Sequence, residues 1–454
     1  MRSFRNWLAL ILTLTVAVAS CGCAAAEQEV RRMETAADAD EWISAFLGGN
    51  PEQLEGVWLL TDAMNAAAAQ LGGIGGLAKQ LASLGTIEEI GAAYEGEISG
   101  YKAFFVPCIF SGMSIDLILV TQDGAIAGLN TGVYTGGREK TVSSEAYDET
   151  ELTLPVPSLG ELPGVLTVPK GEGPFPAVIL LHGSGPSDMD ETIGGMKPFR
   201  DIARELAGRG IAVYRFDKRT YVYGAALDAD TRFTPEDEYF EDAVSAVQLV
   251  ARQEKIDPDR IFVLGHSLGG QMIPALAREL EQAPARARGY IMMAAPTRSM
   301  DELMRAQVDY LYSLMPEVTE EQQAEREALF AELERLKAPD ALSETDFVAG
   351  AYAPYWKWLA AYDAVETARE IREPVLLLQG EEDYQVTMEE DFAVWQEAFA
   401  DRENWRMISY PGLIHTFTPG LKTEGAEAYA RAEHVQENVI EDIASFIRAV
   451  EEAE

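Results

Sequence analysis

Residues 265–269 read Gly265-His266-Ser267-Leu268-Gly269, preceded by the apolar run Ile261-Phe262-Val263-Leu264 and followed by a helix-forming stretch through Leu280. A strand that turns at once into a helix leaves room only for very small side chains two positions either side of its apex. Gly265 and Gly269 meet that demand. The apex residue is a serine, whose oxygen such a turn projects away from the sheet.

The surroundings agree with a layered α/β body. From residue 151 onward apolar runs and helical stretches alternate, the pattern of a mostly parallel sheet with helices on both faces. Runs at 152–156, 164–168, 177–181, 211–216, 260–264, 290–294, 374–379 and 405–410 predict eight strands, most of them apolar throughout, as buried parallel strands are. One interval is out of proportion. Residues 297–372 hold helix formers at 320–336 and then the aromatics Tyr352, Tyr355, Trp356, Trp358 and Tyr362 around Pro354, which predicts a helical cap insertion. If it folds over the strand ends, Tyr355 and Trp356 line a substrate pocket above Ser267; otherwise they pack the insertion onto the body.

Ahead of this body, the 454-residue chain has room for a second folded unit. Arg2 and Arg5 precede an apolar stretch from Trp7 to Ala19, the pattern of an export signal over residues 1–20. Val18-Ala19-Ser20-Cys21 resembles the lipobox of bacterial lipoproteins, which makes Cys21 a lipidated N-terminus and the membrane a partner; ordinary cleavage within Ala24-Ala25-Ala26 is the alternative. Residues 21–39 read as a tether, with order beginning near Asp40. Residues 40–134 pass from short helices, broken by Gly-Gly pairs at 48, 72 and 75, to an antiparallel meander with runs at 97–99, 103–110, 114–121 and 126–133. This predicts a small α+β domain, joined by a linker at 135–150. With Cys21 in the anchor and Cys23 in the tether, Cys108 has no disulfide partner.

A serine hydroxyl is a weak nucleophile and needs a general base, normally a histidine oriented by a carboxylate. When the partners follow the serine as acid and then histidine, His415 and His434 remain of the four histidines. His415 is preferred because it sits in a loop just past the last strand, whereas His434 falls in a helix-forming stretch. The loop after residue 379 offers Glu381, Glu382 and Asp383; Asp383, before an aromatic and Val386, is the first choice and Glu382 the second. Acyl transfer also needs preorganised amides for the oxyanion. These are the N–H groups of Leu268 and of Ser184, the latter in His182-Gly183-Ser184-Gly185-Pro186 after an apolar strand. His266 points elsewhere, and His182 braces its loop.

Together these motifs, with Arg215-Phe216-Asp217-Lys218-Arg219 at a strand end, resemble the EstD-type bacterial esterases over residues 150–450. The resemblance implies an α/β-hydrolase fold, hydrolysis of short to medium acyl esters by a Ser267, His415, Asp383 triad, and no metal or organic cofactor. Asp217, Lys218 and Arg219 read as a structural ion-pair cluster. The net charge of −39, with 75 acidic against 36 basic residues, argues against nucleic acid as a partner. Fold and triad do not choose the leaving group, so a peptidase, thioesterase or acyltransferase stays open beside the small-molecule ester hydrolase. So does an envelope binding protein with an incidental hydrolase body.

Overall fold

The computed structural model describes residues 30–452, except 50, 71, 82–85, 99–100, 111–112, 134–140, 228–229 and 432. The expected signal, Cys21 and Cys23 lie outside the described residues. The chain forms two compact units, Met1–Lys140 and Thr141–Glu454.

In the first unit, helix Ala36–Leu47 starts ahead of Asp40 because Thr35 and Asp38 form a reciprocal capping box. It buries Trp42, Ile43 and Phe46. The opposing face is a five-stranded antiparallel sheet, in which Tyr101–Phe110 pairs with Met113–Gln122, and that strand with Ala125–Val133. The free edge of Tyr101–Phe110 takes two short partners, Tyr94–Ile98 and Ile87–Ile90, the latter absent from the sequence reading. A second correction concerns Gly75-Gly76: this pair lies inside helix Ile74–Gln80 and breaks nothing, while Gly72 and Gly73, with φ of 89° and 87°, make the turn before it. Cys108 is fully buried in this core, and burial, with Asp116 adding to it, pushes its thiol up to about 12.

The second unit is built on eight strands, numbered here β1 (Tyr147–Glu151), β2 (Gly164–Pro169), β3 (Phe175–Leu181), β4 (Ala212–Phe216), β5 (Ile256–His266), β6 (Gly289–Met293), β7 (Val375–Gly380) and β8 (Trp405–Tyr410). Their order is β8-β7-β6-β5-β3-β4-β2-β1. The strands from β3 to β8 are parallel, and β2 and β1 close the edge antiparallel. Helices Pro235–Val250 and Leu268–Gln282 cover one face; Pro198–Ala207 and Glu437–Glu452 cover the other.

The edge corrects the sequence reading. Residues 152–156 do not join the sheet; Leu154–Val156 pairs with Gly160–Leu162 in a separate hairpin. The edge strand β1 instead lies where the linker was expected, and its charges hid it. Glu149 points inward and accepts from Arg204 Nε and Arg215 Nη2, each at 3.0 Å. Arg215 also donates to Asp190 Oδ1 at 2.9 Å and to Thr167 at 2.9 Å.

Arg215 is 3% exposed, and truncating it leaves a buried gap and takes one of two cationic partners from each of Glu149, which keeps Arg204, and Asp190, which keeps Lys197. Arg215→Ala is expected to lose about 3–5 kcal/mol of stability in urea unfolding. A loss below 1 kcal/mol would show that the edge does not depend on this network.

Candidate active site

Ser267 stands between β5 and helix Leu268–Gln282 with φ 53° and ψ −121°, a conformation that costs energy for any residue with a Cβ. Its own N–H donates to the Met293 carbonyl at 2.8 Å. The neighbouring glycines are obligatory on steric grounds. A Cβ on Gly265 would collide with the backbone of Gly269 and Gly270, and one on Gly269 with the carbonyls of Leu181 and His182.

His415 lies in the loop after β8, buried, and its Nδ1 is 2.6 Å from Asp383 Oδ2. Asp383 follows β7. Its Oδ1 accepts from the N–H groups of Gln385 (2.7 Å) and Val386 (3.1 Å), and its Oδ2 also takes Gln379 Nε2 (3.2 Å). The competing carboxylates go elsewhere: Glu382 accepts from Lys422 N–H and Glu381 from Ser409. His434 precedes the last helix instead of lying in it, is largely exposed, and contacts Asp201.

Ser184 is exposed in the loop after β3, and among the described residues no group accepts its N–H. Gly183 abuts the serine, since a Cβ built on it would sit 3.1 Å from Ser267 Cβ and 3.6 Å from Oγ. Leu268 opens its helix, where the first N–H groups have no intrahelical acceptor. His182 braces the loop: burial, with Lys218 adding to it, lowers it to about 4, and the neutral ring's Nε2–H donates to the Asp188 carbonyl at 2.8 Å.

The insertion expected at 297–372 contains helices Met300–Ser313, Glu320–Leu336 and Ala353–Ala361. Trp356 does not face the serine turn. It fills the insertion's own core with Leu333, Leu336 and Val348, its Nε1–H donating to the Val348 carbonyl at 2.7 Å. Tyr355 instead donates to Glu238. From the insertion, Met300, Trp358, Leu359 and Tyr362 pack against the cluster of Tyr239, Leu268 and Met272 beside the turn, with Tyr362 Oη–H donating to the Gln271 carbonyl at 2.7 Å. Helical spacing within the aromatic run distinguishes these faces only once the helix start at Ala353 is known.

Sequence reasoning missed one tie. His266, beside Ser267, has Nε2 3.0 Å from the His415 carbonyl and Nδ1 3.0 Å from Glu191 Oε1. Glu191, at φ 52°, also accepts the Gly183 N–H at 2.8 Å. Burial opposes both charges, but each outweighs it for the other: Glu191 is lowered and His266 raised. With both ring nitrogens facing acceptors, the site favours the protonated ring of His266. The pair joins the loop of Ser184 to the loop of His415 beneath Ser267.

A parallel sheet in this order, with a serine at a strained strand-to-helix apex after β5 and a buried acid and histidine in the loops after β7 and β8, defines an α/β hydrolase. Residues 174–419, more than half the chain, match the Hydrolase_4 model, described as serine aminopeptidase, S33, and the chain belongs to that family. It is 37% identical over 334 residues to Esterase EstD of Thermotoga maritima, covering 73% of this chain and 76% of that protein. Among solved structures, Est1E from Butyrivibrio proteoclasticus is similar at 16% identity and TM-score 0.43, over 66% of this chain and 98% of that one. A puromycin-hydrolyzing peptidase of Mycobacterium tuberculosis is similar at 16% identity and TM-score 0.44, over 77% and 46%.

The Glu191–His266 pair makes stability depend on pH in a definite sense. The lowered carboxylate stabilises the fold above its ordinary value of 4.5, and this is lost as pH falls through the depressed one. The raised imidazole stabilises it below its ordinary 6.5, and this is lost as pH rises through the raised value. Glu191→Gln is therefore expected to cost ~3 kcal/mol near pH 6, with the gap to wild type narrowing at both acid and alkaline pH. Parallel stability profiles across that range would exclude a charged pair.

Proposed function

We propose that this chain hydrolyses carboxylic esters of short to medium acyl chains through an acyl-enzyme on Ser267. The reading is carried by one observation, the buried His415 imidazole of the loop after β8 held at 2.6 Å by Asp383 of the loop after β7, in a sheet whose β5 ends at the Ser267 turn. The 37% identity to an esterase supports ester as the substrate class.

In this scheme Ser267 Oγ attacks the ester carbonyl while His415 Nε2 takes its proton. Asp383 keeps the Nδ1–H tautomer facing it, and its four hydrogen bonds keep it an acceptor. The oxyanion forms against the N–H groups of Ser184 and Leu268. Collapse breaks the bond to the alkoxy oxygen, which receives the proton from His415, and the alcohol leaves. Water then attacks the acyl-serine, giving its proton to His415, and release of the acid returns that proton to Ser267. No step calls for a cofactor. Trp358, Leu359 and Tyr362 against Leu268 and Met272 supply an apolar wall for the acyl chain.

A peptidase is the second reading, favoured by the family's description. Purified protein lacking residues 1–23 is expected to hydrolyse p-nitrophenyl esters from acetate to decanoate well above aminoacyl p-nitroanilides. Ser267→Ala should lower kcat by about 10⁶-fold and Asp383→Asn by about 10⁴-fold. Anilides cleaved faster than every ester would move the assignment to peptidase; ester hydrolysis surviving in Ser267→Ala would overturn the scheme.

We further infer, from Arg2, Arg5 and the apolar stretch Trp7 to Ala19, that the chain is exported, and from Val18-Ala19-Ser20-Cys21 that it is anchored by lipid on Cys21. In a bacterial host the full chain should partition with membranes and Cys21→Ala should not. An unchanged partition would remove the anchor.

A further inference from the structure

The peptide that presents the Ser184 amide is held from behind by a side chain that the hydrolytic scheme leaves unused. Lys218 follows β4 and is 3% exposed. Its Nζ lies 2.6 Å from the Gly183 carbonyl oxygen, 3.1 Å from that of Gly185, 2.9 Å from Tyr239 Oη and 2.6 Å from Glu238 Oε1. Tyr239 Oη–H in turn donates to the Gly183 oxygen at 2.9 Å.

The Gly183 carbonyl and the Ser184 N–H belong to one planar trans peptide, so they point in opposite directions. Two donors on the oxygen therefore settle which way the N–H faces. The preceding N–H is fixed as well, on Glu191. There is also an electronic effect: a cation on the carbonyl oxygen draws density through the amide and makes its N–H a stronger donor.

The arrangement extends into the insertion. Glu238, 4% exposed, supplies the charge that a buried ammonium requires. Its other oxygen, Oε2, accepts from Tyr355 Oη at 2.7 Å, and the Tyr355 ring stacks on Phe233. A continuous path thus runs from the insertion, through Tyr355, Glu238 and Lys218, to the back of the peptide beside Ser267.

We infer that Lys218 is a positioning residue of the oxyanion hole, aiming and polarising the Gly183–Ser184 peptide, and that Tyr355 of the insertion governs it through Glu238. The inference rests on the ester-hydrolase reading above, since it assigns Ser184 N–H to the oxyanion. Tyr355 then acts on the transition state and not as a wall of the substrate pocket.

The test compares wild type, Tyr355→Phe and the charge-neutral double variant Lys218→Met, Glu238→Gln, on p-nitrophenyl butyrate and with an alkyl trifluoromethyl ketone, whose serine adduct carries a full oxyanion. Loss of an oxyanion donor itself costs about 10²–10³-fold in kcat. The double variant should lose on the order of 10–100-fold in kcat, a fraction of that limit, and Tyr355→Phe less, about 5-fold. In each, KM should stay within about 2-fold while Ki for the ketone rises by the same factor as kcat falls. Should the double variant fail to fold, Tyr355→Phe carries the test alone. Folded variants with unchanged kcat and Ki would overturn the inference, as would a change confined to KM. A wild-type chain that neither cleaves the ester nor binds the ketone would overturn the ester-hydrolase reading and this inference together; active wild type with unaffected variants overturns the inference alone.

Discussion

Three backbone segments meet within contact distance around Ser267: the end of β5, the start of helix Leu268–Gln282, and the carbonyls of Leu181 and His182 at the end of β3. Gly265 and Gly269 permit that convergence. A side chain at either position would push the helix off the sheet, and Ser267 would lose the positive φ that turns it outward. Because Gly269 presses on the β3 end, the serine turn and the loop carrying Ser184 are one packing unit. Any displacement of one is felt by the other.

Around this contact the unit relies on buried charge. Arg215 ties Glu149 and Asp190 at the sheet edge, Arg219 ties Asp242, Arg298 ties Asp391 where the insertion departs, and Glu191 faces His266 beneath the serine. Buried ion pairs add little net stability against apolar packing, yet each tolerates only one geometry. Here they fix charged side chains at the sheet edge, on the flanking helices and in the loops around the serine, outside the apolar clusters. The strongly acidic composition thus has two parts, a solvated surface and a small set of carboxylates that hold the cationic side chains in place.

What could be read from the sequence follows from which forces leave a local trace. The serine turn was legible because sterics demand glycine at fixed spacing, and the parallel strands because burial on both faces demands unbroken apolar runs. Asp383 and His415 were legible through chain order and position after strands. Strand β1 was not: its inward residue is Glu149, whose partners Arg204 and Arg215 lie far along the chain, so the run Tyr147–Glu151 looked like a polar linker. The role of His266 was hidden for the same reason, its acid being Glu191 in a loop of no local periodicity. Tyr355 and Trp356 looked alike as adjacent aromatics, while the structure sends one to Glu238 and the other into the insertion's core. Adjacent positions on a helix face different ways, and that difference is invisible until the helix is placed.

Cys108 in the first unit gives the chain something further. Its thiol is buried among Phe104, Val106 and Leu117, and burial keeps it protonated, with the titration raised to about 12. It is the thiolate that attacks alkylating and oxidising reagents, and only when it is accessible. In the folded chain this sulfur is thus silent toward alkylating and oxidising agents alike. Its reaction rate becomes a clock for opening of the first unit, read without labelling the second, and it lets the two halves of the molecule be followed separately during unfolding.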